Sequence, residues 1–142
     1  METTTTTETA ARLRRAVTRL NRRLRYSALG GISPAQASML ASIENLHNPS
    51  LGDLAVAEQV QPPSVTRIVR TMEAAGLITC SNDPYDRRCT RVHLTARGRR
   101  EIATIRQRKT EFIERKLLSL SDLDRRTAQD LVAFLELLLD EE

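Results

Sequence analysis

The ten residues 86–95, Asp-Arg-Arg-Cys-Thr-Arg-Val-His-Leu-Thr, constrain the fold more than any other stretch of the sequence. Val92 and Leu94 alternate with polar residues there, which predicts a half-buried β-strand. Residues 77–81 read as its partner strand, and the segment between the two strands is rich in the Asn, Asp and Pro of turns. Thr95 is placed to cap a long helix. The stretch therefore predicts a two-stranded hairpin with arginines at its end and a helix directly after it.

Helical periodicity covers most of the remaining sequence, because apolar residues recur at steps of three and four. The pattern predicts six helices, at about residues 8–29, 34–47, 51–58 and 62–75 and twice within 96–141. The third helix, the fourth helix and the hairpin follow one another in the order of a winged helix-turn-helix. The predicted fold class is therefore mainly α with a small β-hairpin wing.

The chain of 142 residues suits a single domain. We expect a disordered N-terminal tail at residues 1–7 and one domain at residues 8–142, with a winged helix-turn-helix lobe at about 34–95. The outer helices, at about 8–29 and 96–141, have more apolar surface than a small domain covers, so they are expected to be dimerisation helices. The residues expected in that interface are Leu13, Val17, Leu20, Phe112, Leu131, Leu135 and Leu138.

Positive charge is concentrated in the first and middle thirds of the chain. Residues 1–30 have seven arginines against two acids and residues 61–100 have eight against three, so each segment is net +5. Residues from 119 onward are net −5. A basic middle segment is typical of a phosphate-binding surface, although it is also common on solvated faces. Charge therefore favours a nucleic-acid partner without establishing one.

The fourth predicted helix has the pattern of a recognition helix. Its inner face is apolar and its outer, N-terminal face carries donors and small side chains, which suits the DNA major groove. Two prolines stiffen its first turn, where the backbone N–H groups have no intrahelical partner. The residues expected to contact double-stranded DNA from this helix are Gln61, Pro62, Pro63, Ser64, Thr66, Arg67 and Arg70. Whether Arg67 or Arg70 reads a base is left open, and an ordinary exposed helix face is the plain alternative.

Three arginines are expected to extend this DNA-binding surface onto the hairpin: Arg87 and Arg88 at its end and Arg91 on the returning strand. An arginine at such a tip can enter a minor groove, especially a narrow A·T-rich one. We expect Arg87 to contact DNA, and we expect Arg88 to form an ion pair with Asp86 that holds the shape of the wing.

The sequence resembles the MarR family of transcriptional regulators. The family's wing signature, Asp-x-Arg followed by alternating apolar positions and Leu-Thr, is matched by Asp86, Arg88, Val92, Leu94 and Thr95. The helix-turn-helix is similar at residues 51–55, 64–69 and 73–78. The resemblance covers about residues 8–140, and its specific motifs lie between 51 and 98.

This resemblance implies a homodimer, most often a repressor, that binds palindromic operators and releases them when a small phenolic or other lipophilic effector binds. It places the effector between the dimerisation helices and the DNA-binding lobe. In this sequence that region corresponds to Leu24, Tyr26, Met39, Ile43 and Phe112, each of which also suits a plain core position.

Two alternatives to a ligand-released repressor remain. Cys80 and Cys89 fall on the two predicted strands and are expected to face each other, so a redox-responsive regulator is one of them. A winged-helix module for protein contacts is the other. The arginines at 67, 70, 87 and 88 count against that module, since a docking face is usually richer in apolar anchors.

Other classes of protein are not indicated. The sequence has no glycine-rich phosphate loop and no nucleophile motif, so we do not expect an enzyme or a cofactor. His47 and His93 stand apart from any second ligand at metal spacing, so no metal site is expected. No apolar run of membrane-spanning length occurs, and we expect a cytoplasmic protein without a membrane partner.

Overall fold

A computed structural model of the chain describes residues 4–140. Its elements in chain order are α1 (Thr6–Ser27), α2 (Pro34–Leu46), α3 (Leu51–Glu58), α4 (Pro62–Ala74), β1 (Ile78–Asn82), β2 (Thr90–Leu94), α5 (Ala96–Leu118) and α6 (Asp122–Leu139). The strands form one antiparallel sheet whose register runs from Ile78 opposite Leu94 to Asn82 opposite Thr90. The predicted fold class, mainly helical with a hairpin wing, is confirmed.

Each of the first three helices begins at a residue whose side chain caps it. Ser50 accepts a hydrogen bond from the Asp53 N–H at 3.0 Å, and the Asp53 carboxylate accepts one from the Ser50 N–H at the same distance. This reciprocal arrangement satisfies backbone donors that an eight-residue helix such as α3 cannot pair internally. The predicted start of α3 at this cap is confirmed.

The start of α1 differs from the prediction. Thr5 and Glu8 form a capping box, and α1 begins at Thr6, two residues before the expected position. Thr6 and Thr7 are therefore helical and do not belong to a disordered tail over residues 1–7, because the threonine hydroxyl at position 5 supplies the cap. Residues 1–3 of that predicted tail lie outside the described residues.

The main core lies where α2, α3, α4, the hairpin and the start of α5 meet. Its buried side chains are Met39, Leu40, Ile43, Leu54, Val65, Val69, Met72, Leu77, Ile78, Val92 and Ile102. Each fully buried aliphatic side chain of this kind contributes about 1.5 to 3 kcal/mol. The core therefore holds the recognition helix and the wing as parts of one packed lobe.

The hairpin is joined tightly to α5. The Thr95 hydroxyl donates to the Gly76 carbonyl at 2.6 Å and accepts from the Gly98 N–H at 3.0 Å. A Cβ added at Gly98 would lie 2.1 Å from the Leu77 carbonyl oxygen, so only glycine permits this approach. The wing is therefore attached at a fixed angle to the helix that follows it.

The outer helices leave apolar surface open. Helix α1 packs along α5, whereas α6 packs against no other element to any appreciable extent within residues 4–140. Leu131 and Leu138 on α6 are 47% and 50% exposed. Val17 and Leu20 are exposed on α1, while Leu13, Phe112 and Leu135 are half-buried. The residues predicted for the dimer interface thus all retain accessible surface, and their role stays a prediction.

None of the helices between residues 4 and 140 is both long enough and apolar enough to cross a membrane.

Candidate nucleic-acid interface

The rotation of α4 is fixed by its buried face. Val65, Val69 and Met72 are buried against the core, which leaves Arg67 and Arg70 exposed on the outside. Gln61 is the N-cap, and the two prolines that follow it occupy the first turn as predicted. The exposed arginines and the N-terminal end of the helix therefore face solvent together, as a major-groove helix requires.

Of the seven residues predicted to contact DNA from this helix, five are exposed and two are half-buried. The exposed residues are Gln61, Pro62, Pro63, Arg67 and Arg70, and the half-buried ones are Ser64 and Thr66. The Thr66 hydroxyl donates to the Pro62 carbonyl at 3.2 Å. In this conformation Thr66 can offer DNA only its acceptor lone pairs.

A carboxylate clamps the turn that leads to α4. Glu58, the last residue of α3, accepts hydrogen bonds from Ser38 at 2.8 Å and from Ser42 at 2.5 Å. Gln59 follows in the left-handed region with φ of 55°, and its N–H bonds back to α3. The clamp ties α2 to the end of α3 and so positions the turn.

Sequence reasoning missed Glu58 as a positioning residue. The sequence did contain a signal for this contact. Ser38 and Ser42 are one helical turn apart on one face of α2, and the short helix that packs beside α2 ends with an acid. Only the packing of α2 against α3 shows that the three side chains meet.

The wing is held by an ion pair that differs from the predicted one. Arg91 donates from Nε to Asp83 Oδ2 at 2.8 Å, and its Nη1 lies 3.6 Å from Asp53 Oδ2. Asp86 instead accepts a hydrogen bond from the Arg88 backbone N–H at 3.0 Å, and it has no ion pair within residues 4–140. The predicted Asp86–Arg88 pair is therefore wrong, because the Asp86 carboxylate is turned toward the backbone of its own turn.

Arg91 has partners within the protein. Its guanidinium lies between the carboxylates of the wing turn and of α3, and its predicted contact with DNA stays a prediction. The Arg91 hydrogen bond, together with the Tyr85 N–H, holds the pKa of Asp83 below its ordinary value. Hydrogen bonding with Ser50 lowers the pKa of Asp53, and the Arg91 charge adds to this. Both carboxylates therefore stay ionised, and their charges hold the Arg91 guanidinium between the wing turn and α3.

The wing tip is fully open to solvent. Arg87 and Arg88 are exposed, and Tyr85 is 98% exposed beside them. Of the three arginines predicted on the hairpin, these two have no ion pair within the described residues 4–140. Two cationic side chains and one aromatic ring are therefore presented together on the same turn.

The two cysteines do not face each other. Cys80 lies opposite Val92 in the register of the hairpin, and Cys89 precedes β2, where its carbonyl accepts from the Asp83 N–H at 2.8 Å. Burial, with Glu73 beside it, raises the pKa of Cys80 to about 11. The expectation of facing cysteines is wrong, because the longer turn places Cys89 outside the strand, and a protonated Cys80 is a poor nucleophile.

The histidine on β2 braces the wing from the other side. His93 is hydrogen-bonded through Nδ1 to the Asn48 side chain at 2.9 Å and through Nε2 to Ser81 at 2.6 Å. These contacts link the loop after α2 to both strands. Among the described residues no group of His, Cys, Asp and Glu is arranged to hold a metal ion.

A cavity of about 330 Å³ lies between α1, α2 and α5. Its apolar wall includes Ile102 and Ile105, and its polar lining includes Arg25, Arg106 and Lys109. Arg106 also forms a close ion pair with Glu44 of α2. The cavity therefore has an apolar wall and three cationic side chains in its lining.

The residues predicted to form an effector pocket do not line this cavity. Met39 and Ile43 are buried in the core of the lobe, and Tyr26 is 66% exposed. Leu24 and Phe112 are half-buried outside the cavity lining. The effector pocket predicted from these five residues thus does not coincide with this cavity, and their role stays a prediction.

An apolar-backed helix with exposed arginines, next to an arginine-tipped hairpin, defines a winged helix-turn-helix DNA-binding protein. The family model of the MarR family matches residues 32–90. An HTH-type transcriptional regulator of Mycobacterium tuberculosis is 31% identical over 127 residues, which cover 87% of this chain and 89% of the relative. One of Mycobacterium leprae is 32% identical with the same coverage. The chain belongs to the MarR family of transcriptional regulators.

Solved structures share the fold. A transcriptional regulator from Pseudomonas aeruginosa is similar with a TM-score of 0.82 at 28% identity, covering 99% of both chains. A MepR mutant of S. aureus bound to an oligodeoxyribonucleotide is similar in fold, with a TM-score of 0.71 at 20% identity, covering 91% of this chain and 96% of that one. The family membership establishes a DNA-binding regulator of transcription and not an enzyme.

Proposed function

We propose that the chain is a homodimeric repressor that binds palindromic operators and is released from them by a small lipophilic or phenolic ligand. The observation that carries this proposal is the exposed pair Arg67 and Arg70 on a helix whose other face is locked into the core. The unpartnered apolar face of α6 supports the dimer.

Dimerisation follows from the apolar surface of the outer helices. Leu131, Leu137 and Leu138 leave about half or more of their surface exposed on a helix that packs against nothing else within residues 4–140. A contiguous face of this kind is normally covered in solution, and a second copy covers it with matching chemistry. A twofold dimer then presents two recognition helices to two inverted half-sites, which explains a palindromic operator.

DNA reading is divided between α4 and the wing. Arg67 or Arg70 bound to guanine through two hydrogen bonds contributes roughly 1 to 3 kcal/mol of base discrimination. Arg87 and Arg88 reach the backbone or the minor groove from the wing tip. Arg91 acts indirectly, since its contacts with Asp53 and Asp83 hold the wing against α3.

The cavity between α1, α2 and α5 is the place for a releasing ligand. Its volume of about 330 Å³ suits a small aromatic molecule. Arg25, Arg106 and Lys109 favour a ligand with an anionic group, while Ile102 and Ile105 favour an apolar ring. A ligand there contacts both the outer helices and α2, so it can favour a spacing of the two lobes that no longer matches DNA.

The test is a titration of the purified protein against a fluorescent duplex carrying the sequence upstream of its own gene, with random duplex as competitor and at two salt concentrations. We expect competitor-resistant, salt-dependent binding at two chains per duplex. Equal affinity for random duplex, followed by failure to select any sequence from a random pool, contradicts the proposal. Binding at one chain per duplex contradicts the dimer alone.

A further inference from the structure

Tyr85 is an aromatic side chain placed where water surrounds it. It is 98% exposed at the wing tip, in a chain that has only two tyrosines, two phenylalanines and no tryptophan. The exposed leucines of α1 and α6 belong to the faces proposed for dimerisation, but Tyr85 lies on the hairpin turn, away from both helices. The proposed dimer therefore gives no reason for an exposed ring at this position.

The turn holds the backbone of Tyr85 in place. Asp83 Oδ1 accepts hydrogen bonds from the Tyr85 N–H at 2.7 Å and from the Asp86 N–H at 3.1 Å. Asp83 Oδ2 accepts from Arg91 at 2.8 Å, so the carboxylate is held from both sides. A tyrosine on such a turn has only two side-chain torsions left to order when it binds a partner, which keeps the entropic cost low.

The turn beside the ring carries more positive than negative charge, since two exposed arginines follow one exposed carboxylate, that of Asp86. Arg87 and Arg88 follow Tyr85 on the same turn and are exposed. Guanidinium groups draw the tip toward phosphates and toward the negative potential of a narrow minor groove. When these two arginines contact DNA, the Tyr85 ring therefore lies close to a groove.

We propose that Tyr85 enters the minor groove and selects A·T pairs there. Its phenolic O–H donates a hydrogen bond to adenine N3 or thymine O2, acceptors that A·T and T·A pairs both present. A G·C pair adds the guanine N2 amino group between the two acceptors of the same groove, where it occupies space and blocks the approach of the ring. The proposal rests on the proposed contact between the wing and DNA, and it adds a direct hydrogen bond to a base edge to the preference of the arginines for a narrow minor groove.

The test uses a duplex that the wild-type protein selects from a random pool, with the wing-facing sugars located by hydroxyl-radical protection. An A·T pair at those positions is replaced by G·C or by inosine·C, which lacks the N2 amino group. We expect the wild-type protein to lose about tenfold in affinity on G·C and little on inosine·C. Tyr85→Ala should bind the original duplex about tenfold more weakly and should distinguish the three sequences much less than the wild-type protein does.

Two further variants separate a DNA contact from an effect on folding. Tyr85→Phe keeps the ring and should retain most of the affinity while losing part of the preference for A·T over G·C. Tyr26→Phe leaves Tyr85 as the sole tyrosine, so acrylamide quenching of its fluorescence should fall when the selected duplex is added.

Equal affinity and equal base preference for wild type and Tyr85→Ala overturn this inference, and so does unchanged quenching. If the wild-type protein selects no sequence at all, the proposed function fails with it. If wild type selects a sequence that Tyr85→Ala binds identically, only the role of Tyr85 fails.

Discussion

Arg91 donates a hydrogen bond from Nε to Oδ2 of Asp83 at 2.8 Å, which closes the wing turn across eight residues of sequence. The same guanidinium lies 3.6 Å from Asp53 at the start of α3. Arg91 is therefore one of the side chains that join the wing to the helix-turn-helix, and His93, through its hydrogen bond to Asn48, is another.

The Asp83–Arg91 pair should make the order of the wing depend on pH. The pKa of Asp83 is lower in the folded chain than its ordinary value of 3.8. The pair therefore stabilises the folded wing fully above about pH 4, and this stabilisation is lost as the pH falls through the lower, folded-state pKa. A carboxyl-carbon NMR titration of Asp83 should show a midpoint below that of an exposed aspartate.

Asp83→Ala tests the same contact at neutral pH. It removes the acceptor for the Tyr85 and Asp86 N–H groups, so the hydrogen-exchange protection of both amides should fall. Asp130→Ala, an exposed change on α6, serves as the control and should leave these amides unaffected. Unchanged protection in Asp83→Ala would mean that the Asp83 carboxylate does not hold the turn.

Arg67→Ala should weaken binding to the specific site more than binding to random duplex. A base contact carries sequence information, whereas a phosphate contact does not. The expected loss on the specific site is roughly 1 to 3 kcal/mol. Arg70→Ala, measured in parallel by competition titration, identifies which of the two arginines reads a base. Equal losses on both duplexes would make Arg67 a phosphate contact only.

Arg87→Ala should reduce the salt dependence of DNA binding. Each phosphate contact releases condensed counterions, so the slope of log K against log salt should fall by about one per wing. Arg115→Ala is a matched control, since Arg115 is exposed near the end of α5 and outside the wing. The same slope in Arg87→Ala and wild type would place the side chain outside the interface.

Replacing Leu135 and Leu138 together with Asp should dissociate the dimer and abolish operator binding. In the dimer, the two introduced carboxylates on the apolar face of α6 would be buried against those of the second copy, with no cation to pair with them. Light scattering after gel filtration measures the mass, and a titration on the same sample measures DNA binding. Glu136→Gln on the same helix should remain a dimer. A monomeric double variant that still bound tightly would contradict the twofold mode.

Glu58→Ala should destabilise the lobe by about 1 to 3 kcal/mol, because two serine hydroxyls lose a charged acceptor. Ser38→Ala with Ser42→Ala removes the donors. A double-mutant cycle by urea unfolding should show that removing all three side chains costs less than the two separate losses combined. Additive losses would mean that the clamp contributes nothing as a unit.

Sequence patterns determined the helices and their order, because the signals that start and stop a helix are local. The cap formed by Ser50 and Asp53 starts α3, and Pro62 with Pro63 starts α4. Each signal lies within four residues of the helix start that it determines, so both starts were predicted at their observed positions. The apolar spacing of Val65, Val69 and Met72 likewise determined which side of α4 faces outward.

Tertiary structure alone decided which distant side chains meet. Asp53 approaches Arg91, and Glu58 meets Ser38, only because the packing of α2, α3 and the hairpin sets their relative rotation and depth. The cavity between α1, α2 and α5 contains none of the five residues predicted for an effector pocket, since the residues that line a space between helices depend on how those helices pack. Spacing along one element is local information, whereas contacts between elements depend on how the whole core packs.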